Sequence, residues 1–204
     1  MLKICYIRIP QEENSSLKNV KGKAKLHGAL GKCLLKKGLL QFFGLQEEDY
    51  SMVKNEHGKP YIEGVANCHF NISHSGDYVL CAFSDQEVGV DIERIRKMPE
   101  RVALRYFHPN EIAALEKADD KQDLFFTYWS LKETYLKYLG DGLNRGLSSF
   151  EVRIHDKGIR IYEDGVDAGV FVTECCIDPA YKCFVCSGKE EELQLSCWQY
   201  EECH

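Results

Sequence analysis

Apolar and polar positions alternate with a period of two across residues 2–9, LKICYIRI, and predict an opening strand. The polar stretch at 11–19 predicts a loop. From 23 to 43 the period lengthens. Leu26, Leu30, Cys33 with Leu34, and Leu40 recur at helical spacing, with Lys37 as the polar exception. Gly28, Gly31 and Gly38 each weaken such a helix by about 1 kcal/mol relative to Ala, so its limits are loosely set. Turn-forming residues crowd 55–60 (NEHGKP), and short strands are expected at 69–73, 78–84 and 88–93.

The character changes after Lys97. Residues 99–105 and 110–117 read as helices, the second opened by Pro109-Asn110. The clearest helix spans 121–139, where Leu124, Phe125, Tyr128, Trp129, Tyr135, Leu136 and Leu139 form a broad stripe that also contains Lys132. Gly140 follows, where a left-handed residue can close a helix. Strand-like alternation returns at 150–154, 159–162, 169–174, 182–186 and 193–200. No internal repeat or low-complexity segment stands out. Two halves, 1–97 and 98–204, are expected, with their boundary at 96–99.

Composition narrows the class. The 204 residues are 44% hydrophobic and 28% charged, which is a globular and not a disordered composition. Lys and Arg total 26 against 32 Asp and Glu, a net charge of −6. That balance argues against nucleic acid as a partner, since such binding needs a dominant basic face. No apolar run approaches the roughly 20 residues that cross a bilayer, so no membrane partner is expected. The amino end carries Lys3 and Arg8 within its apolar run and no small-residue cleavage site, unlike a signal peptide. A cytoplasmic protein follows as the expectation, with its ten cysteines reduced and mostly buried as small hydrophobes. Cys183 and Cys186 have CxxC spacing, yet residues three apart on a strand face opposite sides, so they read as core packing.

Three segments carry candidate chemistry. In Gly89-Val90-Asp91-Ile92-Glu93, strand alternation puts Asp91 and Glu93 on one face. Adjacent carboxylates there make either a solvated strand end or a pair of oxygen ligands for a hard cation such as Mg²⁺. On the 121–139 helix, Glu133 and Lys137 are four apart and share a face with Trp129. They read either as a surface ion pair or as a carboxylate for a metal ion beside a lysine for a phosphate. Phe70-Asn71-Ile72-Ser73-His74-Ser75-Gly76 ends a strand in hydroxyls, an imidazole and backbone N–H groups, which suits phosphate oxygens as well as an ordinary polar turn. Gly58-Lys59-Pro60 adds one cation on a rigid turn.

In order along the chain, GKPYI, HFNISHSG, VGVDIE and WSLKETYLK resemble the 4′-phosphopantetheinyl transferase superfamily, in particular its Sfp-type group. The similarity runs from Gly58 to about Glu111, resumes through Phe125 to Leu143, and continues weakly to Tyr181-Lys182. The resemblance implies an α+β fold of two similar lobes in one chain, each a small antiparallel sheet packed on a long helix, with the active site between them. It implies transfer of the phosphopantetheine arm of coenzyme A to a serine of an apo acyl or peptidyl carrier protein, releasing adenosine 3′,5′-bisphosphate. The metal ligands would be Asp91, Glu93 and Glu133, with Mg²⁺ as the cofactor and Mn²⁺ as its alternative. Gly58, Lys59, Pro60, Ser73, His74 and Lys137 would bind coenzyme A, and Glu133, Lys137 and Asp91 would be catalytic. Glu111 matches a further acidic position near the family's site. A monomer is implied.

The alternatives are a hydrolase of the coenzyme A diphosphate and a non-catalytic coenzyme A or carrier-binding protein. The resemblance departs at the amino end. There the family has a longer basic region, and an Arg with a hydroxyl residue early in the first long helix; this chain has Leu26-His27-Gly28-Ala29-Leu30-Gly31. Lys18, Lys21, Lys23 and Lys25 are candidates to supply that charge, or they form a solvated basic loop. Arg94, Arg96, Lys97, Arg101 and Arg105 form a basic run that would steer an acidic carrier, or only a solvated helix face.

Overall fold

The structure is a computed structural model that describes residues 1–16, 20–142 and 145–203. Residue parity along the strands builds four layers. In β1 (Leu2–Arg8) and β5 (Tyr78–Ser84), Cys5, Ile7, Val79, Cys81 and Phe83 pack toward α2 (Val20–Phe43) with Leu30, Leu34 and Leu39. The opposite face, Leu2, Ile4, Tyr78, Leu80 and Ala82, meets Val88, Val90 and Ile92 of β6 (Val88–Arg94) and Cys183 and Val185 of β11 (Tyr181–Ser187). Phe184 and Cys186 turn the other way, into the core under α5 (Lys121–Leu139). The layers therefore run α2, first sheet, second sheet, α5. Cys183 and Cys186 fall in different cores, as their spacing on a strand requires.

The first sheet has the order β12-β1-β5-β4, with β4 at His69–Ser75 and β12 at Leu193–Trp198. The second runs β6-β11-β10-β8-β7, with β7 at Phe150–His155, β8 at Gly158–Glu163 and β10 at Phe171–Glu174; β9 (Val166–Asp167) pairs with β8. The hairpin of β2 (Ser51–Lys54) and β3 (Pro60–Glu63) frames the 55–60 turn. Two helices, α3 (Glu100–Tyr106) and α4 (Pro109–Lys117), lead into α5.

Several expectations change. The first sheet is not wholly antiparallel: β12 lies parallel to β1, because the chain leaves the second sheet after β11 and returns beside its own beginning. Two strand pairings join residues before 97 to residues after it, β6 with β11 and β1 with β12. Residues 11–16 form a helix, α1 (Gln11–Ser16), in place of the expected loop; Asn14 anchors it by donating to the Gly76 carbonyl and to Asp77. Cys33 and Cys203 form a disulfide where reduced thiols were expected, joining α2 to the carboxy-terminal turn across a separation of 170 residues. Cys5, Cys68, Cys81, Cys175, Cys183 and Cys186 are free and buried, and Cys176 and Cys197 are exposed.

Two glycines set the approach of helix to sheet. A Cβ on Gly38 would fall on the Phe83 ring, and one on Gly89 would fall on the Thr134 carbonyl and the Tyr138 backbone. Gly89 thus lets β6 lie against α5 backbone to backbone, which puts Asp91 beside that helix.

Lys132 is wholly buried in the α5 stripe. Its ammonium pairs with Glu111 Oε1 at 2.9 Å and donates to the Leu147 and Phe150 carbonyls, both at 2.8 Å. Glu111 accepts from the backbone N–H of Val152 at 2.7 Å and of His108 at 2.8 Å. Burial pushes the Glu111 carboxyl up and the Lys132 ammonium down, and each charge opposes the shift of the other. Glu111 is therefore a structural joint between α4, α5 and β7. Replacing Lys132 by Met leaves a buried carboxylate unpaired, so Lys132→Met is expected to lose about 3–5 kcal/mol in urea denaturation. The double variant Glu111→Gln/Lys132→Met is expected to recover part of that loss; no recovery would mean that the charge pair is not the source.

Candidate active site

The strand β4 meets β6 through side chains. Asn71, Ser73 and Ser75, two apart and hence on one face, accept from the backbone N–H groups of Val90 (3.0 Å), Ile92 (3.2 Å) and Arg94 (3.1 Å). The two serine hydroxyls donate onward, Ser73 to Asp91 Oδ1 and Ser75 to Glu93 Oε2, each at 3.0 Å. One row of small polar residues therefore holds an edge strand in register and orients both of its carboxylates.

Asp91 is 4% exposed. Besides Ser73, it accepts from Lys137 Nζ at 2.7 Å on Oδ1 and from Ser130 Oγ at 2.9 Å on Oδ2. Lys137 also donates to Ser73 Oγ at 2.9 Å. Ser130, Glu133 and Lys137 lie three and four apart, so one row of α5 faces β6. Glu133 is half-buried, and among the described residues no hydrogen bond or ion pair holds its carboxylate. Desolvation and then the Asp91 charge raise its proton affinity, with Lys137 opposing and Glu93 adding to the shift. Glu93 is likewise raised by desolvation and by Asp91, against its Ser75 hydrogen bond.

Lys59, Gly58, Pro60, Asn71, Glu133 and Lys137 line one cleft, closed by His57, Leu136, Gly140 and Gly142. Asn55 shapes its turn by accepting from the backbone N–H of His57 and Lys59, and its amide donates to the Gly140 carbonyl at 3.0 Å. Gly140, with φ of 75°, closes α5 as expected. Lys59 spends its ammonium on Glu87 Oε2 at 2.7 Å and on the Val88 and Tyr138 carbonyls at 3.2 and 3.1 Å. Its charge lines the cleft, while its protons tie the turn to β6 and α5.

Other expected residues lie differently. The Ser73 hydroxyl is occupied by Asp91, Ile92 and Lys137. His74 points to the opposite face of β4, exposed, with its ring 4.6 Å from that of His27 on α2. Desolvation, then His27 and Lys137, lower its proton affinity. Lys21 and Lys25 are exposed and Lys23 half-buried on the first turns of α2, a helix where a loop was an open reading. Lys18 lies outside the described residues, as does Leu143 at the end of the second matching stretch. Asn71 and Ser130 were not singled out from the sequence. Their signal was present in the period of two through Asn71, Ser73 and Ser75, and in the three-residue step from Ser130 to Glu133.

The three expected metal carboxylates are not gathered into one shell: among the described residues, no group of three His, Cys, Asp or Glu side chains could hold an ion as it stands. Their chemistry nevertheless fits a hard cation. All the donors are carboxylate oxygens, and Asp91 raises the proton affinity of both Glu93 and Glu133, a repulsion that a divalent charge relieves. Lys137 supplies the neighbouring positive charge to Asp91.

Residues 87–186 match the family described as "4′-phosphopantetheinyl transferase superfamily", and residues 2–86 match "4′-phosphopantetheinyl transferase, N-terminal". The chain is 32% identical to the 4′-phosphopantetheinyl transferase gsp of Aneurinibacillus migulanus, over 96% of this chain and 90% of that protein. It is 34% identical to the 4′-phosphopantetheinyl transferase Sfp of Bacillus subtilis (strain 168), over 85% of this chain and 79% of that protein. Among solved structures, a holo-(acyl-carrier-protein) synthase from Bacillus anthracis in complex with CoA (3′,5′-ADP) aligns at 20% identity with a TM-score of 0.41, over 49% of this chain and 92% of that one.

Because the folded Glu133 holds its proton more tightly than a free carboxyl, it favours the native state while protonated, and that contribution is lost as pH rises through the raised value. In chelated buffer, Glu133→Gln is therefore expected to raise the melting temperature at pH 7. The difference should vanish below the free-carboxyl value of 4.5. Equal melting temperatures at both pH values would show that the Glu133 charge is not strained.

Proposed function

The chain belongs to the 4′-phosphopantetheinyl transferase superfamily and is an enzyme of the Sfp type, and from that premise we propose how its residues carry the transfer. The substrates are coenzyme A and the serine hydroxyl of an apo carrier protein, and the leaving group is adenosine 3′,5′-bisphosphate. The observation that carries this reading is the pairing of Glu133 with Lys137 on one row of α5, the first without a donor among the described residues and the second beside Asp91.

Glu133 accepts the serine proton. Its carboxylate lines the cleft and, among the described residues, receives no hydrogen bond, so a lone pair is open to the serine hydroxyl. The serine oxygen bonds to the β-phosphorus, that phosphorus releases its oxygen to the adenosine bisphosphate, and the phosphopantetheine stays on the serine. Lys137, one turn beyond Glu133, moves its ammonium from Asp91 toward the charge that grows on the transferred group. Lys59, with Gly58 and Pro60, presents positive charge across the cleft to the diphosphate. Asp91, Glu93 and Glu133 would hold Mg²⁺, or Mn²⁺ in its place. Such an ion, when bound, neutralises the diphosphate and eases departure of the leaving group.

The layers α2, first sheet, second sheet and α5 support a reading as two similar lobes with the site between them. His27 and His74, with Lys21, Lys23 and Lys25 nearby on α2, support a site for the remaining phosphate. The basic run is exposed at Arg94, Arg96, Lys97, Arg101 and Arg105, beside the Glu93 end of β6, and supports docking of an acidic carrier.

Incubation with coenzyme A, Mg²⁺ and an apo carrier protein is expected to add one phosphopantetheine to the carrier by mass spectrometry, and Glu133→Gln to abolish the gain. Release of adenosine 3′,5′-bisphosphate without a modified carrier would instead mean a hydrolase, and no turnover a binding protein. The Arg101→Glu/Arg105→Glu variant is expected to weaken the apparent affinity for the carrier on the order of tenfold at low salt. Unchanged affinity would remove these arginines from docking.

A further inference from the structure

Ser130 is a fully buried hydroxyl on α5; it lies within WSLKETYLK, yet the mechanism above gives it no role. Its Oγ donates to Asp91 Oδ2 at 2.9 Å. The backbone carbonyls of Asp91 and Lys182 lie at 3.5 Å, too far to compete for its single proton. The other carboxylate oxygen, Oδ1, is already taken by Ser73 and Lys137. Ser130 is thus the donor that fixes the second oxygen, and with it the rotation of the carboxylate about its own axis.

The position of this hydroxyl matters as much as its bond. Ser130 lies one turn before Glu133 and two before Lys137 on the row facing β6. It ties the strand that carries Asp91 to the helix that carries the proposed base. Ser73 and Ser75 hold Asp91 and Glu93 from β4, so they orient these groups within the β4–β6 junction only.

We propose that Ser130 is a positioning residue: it sets the orientation of Asp91 relative to Glu133, and so tunes the affinity of these carboxylates for a divalent cation. The inference rests on the proposed role of Asp91 as a metal ligand. Hydrogen-bond partners of metal ligands typically change metal affinity by about 10–100-fold when they are removed.

The test is Mn²⁺ binding to the whole protein, without substrate, read as the loss of the free-ion EPR signal. Ser130→Ala and Ser130→Cys both take away the O–H donor, and the Cys variant fills the same space should the Ala variant lose stability. Thr134→Val is the control. It removes an equally buried hydroxyl from the next turn of α5, where Thr134 donates to the Phe184 carbonyl at 3.3 Å and does not reach Asp91. The expected result is a loss of Mn²⁺ affinity of about 10-fold or more for both Ser130 variants, with Thr134→Val within about 2-fold of the parent. Parental affinity in the Ser130 variants would overturn the proposal, as would an equal loss in Thr134→Val, which would mark a packing effect. A parent protein that binds no Mn²⁺ would instead overturn the metal role of Asp91, and this inference with it.

Discussion

A carboxylate buried away from water must be met by donors, and Asp91 is the carboxylate on which this architecture turns. Its donors come from two elements, Ser73 on β4 and Ser130 with Lys137 on α5. Satisfying one charge therefore fastens the edge of the first sheet to the edge of the second and to the helix that crosses it. The same three donors determine where the carboxylate points. Stability and site geometry are here a single set of hydrogen bonds, so the site cannot be loosened without loosening the junction.

A second buried charge sets the rotation of that helix. Successive residues on an α-helix are about 100° apart. With Lys132 drawn inward onto Glu111 and the carbonyls of Leu147 and Phe150, Glu133 necessarily turns toward the cleft. The Lys132-Glu133 step thus divides labour between neighbours, one ionised group satisfied in the core and one, at the surface of the site, with no hydrogen bond or ion pair among the described residues. Gly89 completes the arrangement by letting β6 approach the helix backbone. The energetic strain falls on Glu93 and Glu133, whose proton affinities are raised by their surroundings. A site whose carboxylates repel one another is ready for a cation.

Much of this was legible in one dimension because it follows from local periodicity. The period of two placed Asp91 and Glu93 together and separated Cys183 from Cys186. The period near four placed Glu133 with Lys137. Gly140 marked the end of α5 because a left-handed residue was needed there. What escaped reading involves partners distant along the chain. Polar residues 11–16 turned out helical because Asn14 finds Gly76 and Asp77, 62 and 63 residues away. The short β2, β3 and β9 carry too few residues for alternation to show. The resemblance marked Lys59 and Ser73 as coenzyme A contacts; only the folded chain shows that the Lys59 ammonium meets Glu87 and that the Ser73 hydroxyl meets Asp91 and Lys137.

By itself the sequence determined the strands and helices with strong periodicity, the charged pairs that share a face, and the motif order that marks the superfamily. Each of these depends on residues within a few positions of one another, where backbone geometry alone sets the relation. Only the tertiary structure decided that β12 returns beside β1, that Cys33 meets Cys203, and that Ser130 rather than solvent completes Asp91. Those contacts join elements tens to more than a hundred residues apart, and no periodicity encodes them. They arise when the two sheets stack, the apolar faces exclude water, and each buried polar group takes the partner left within reach.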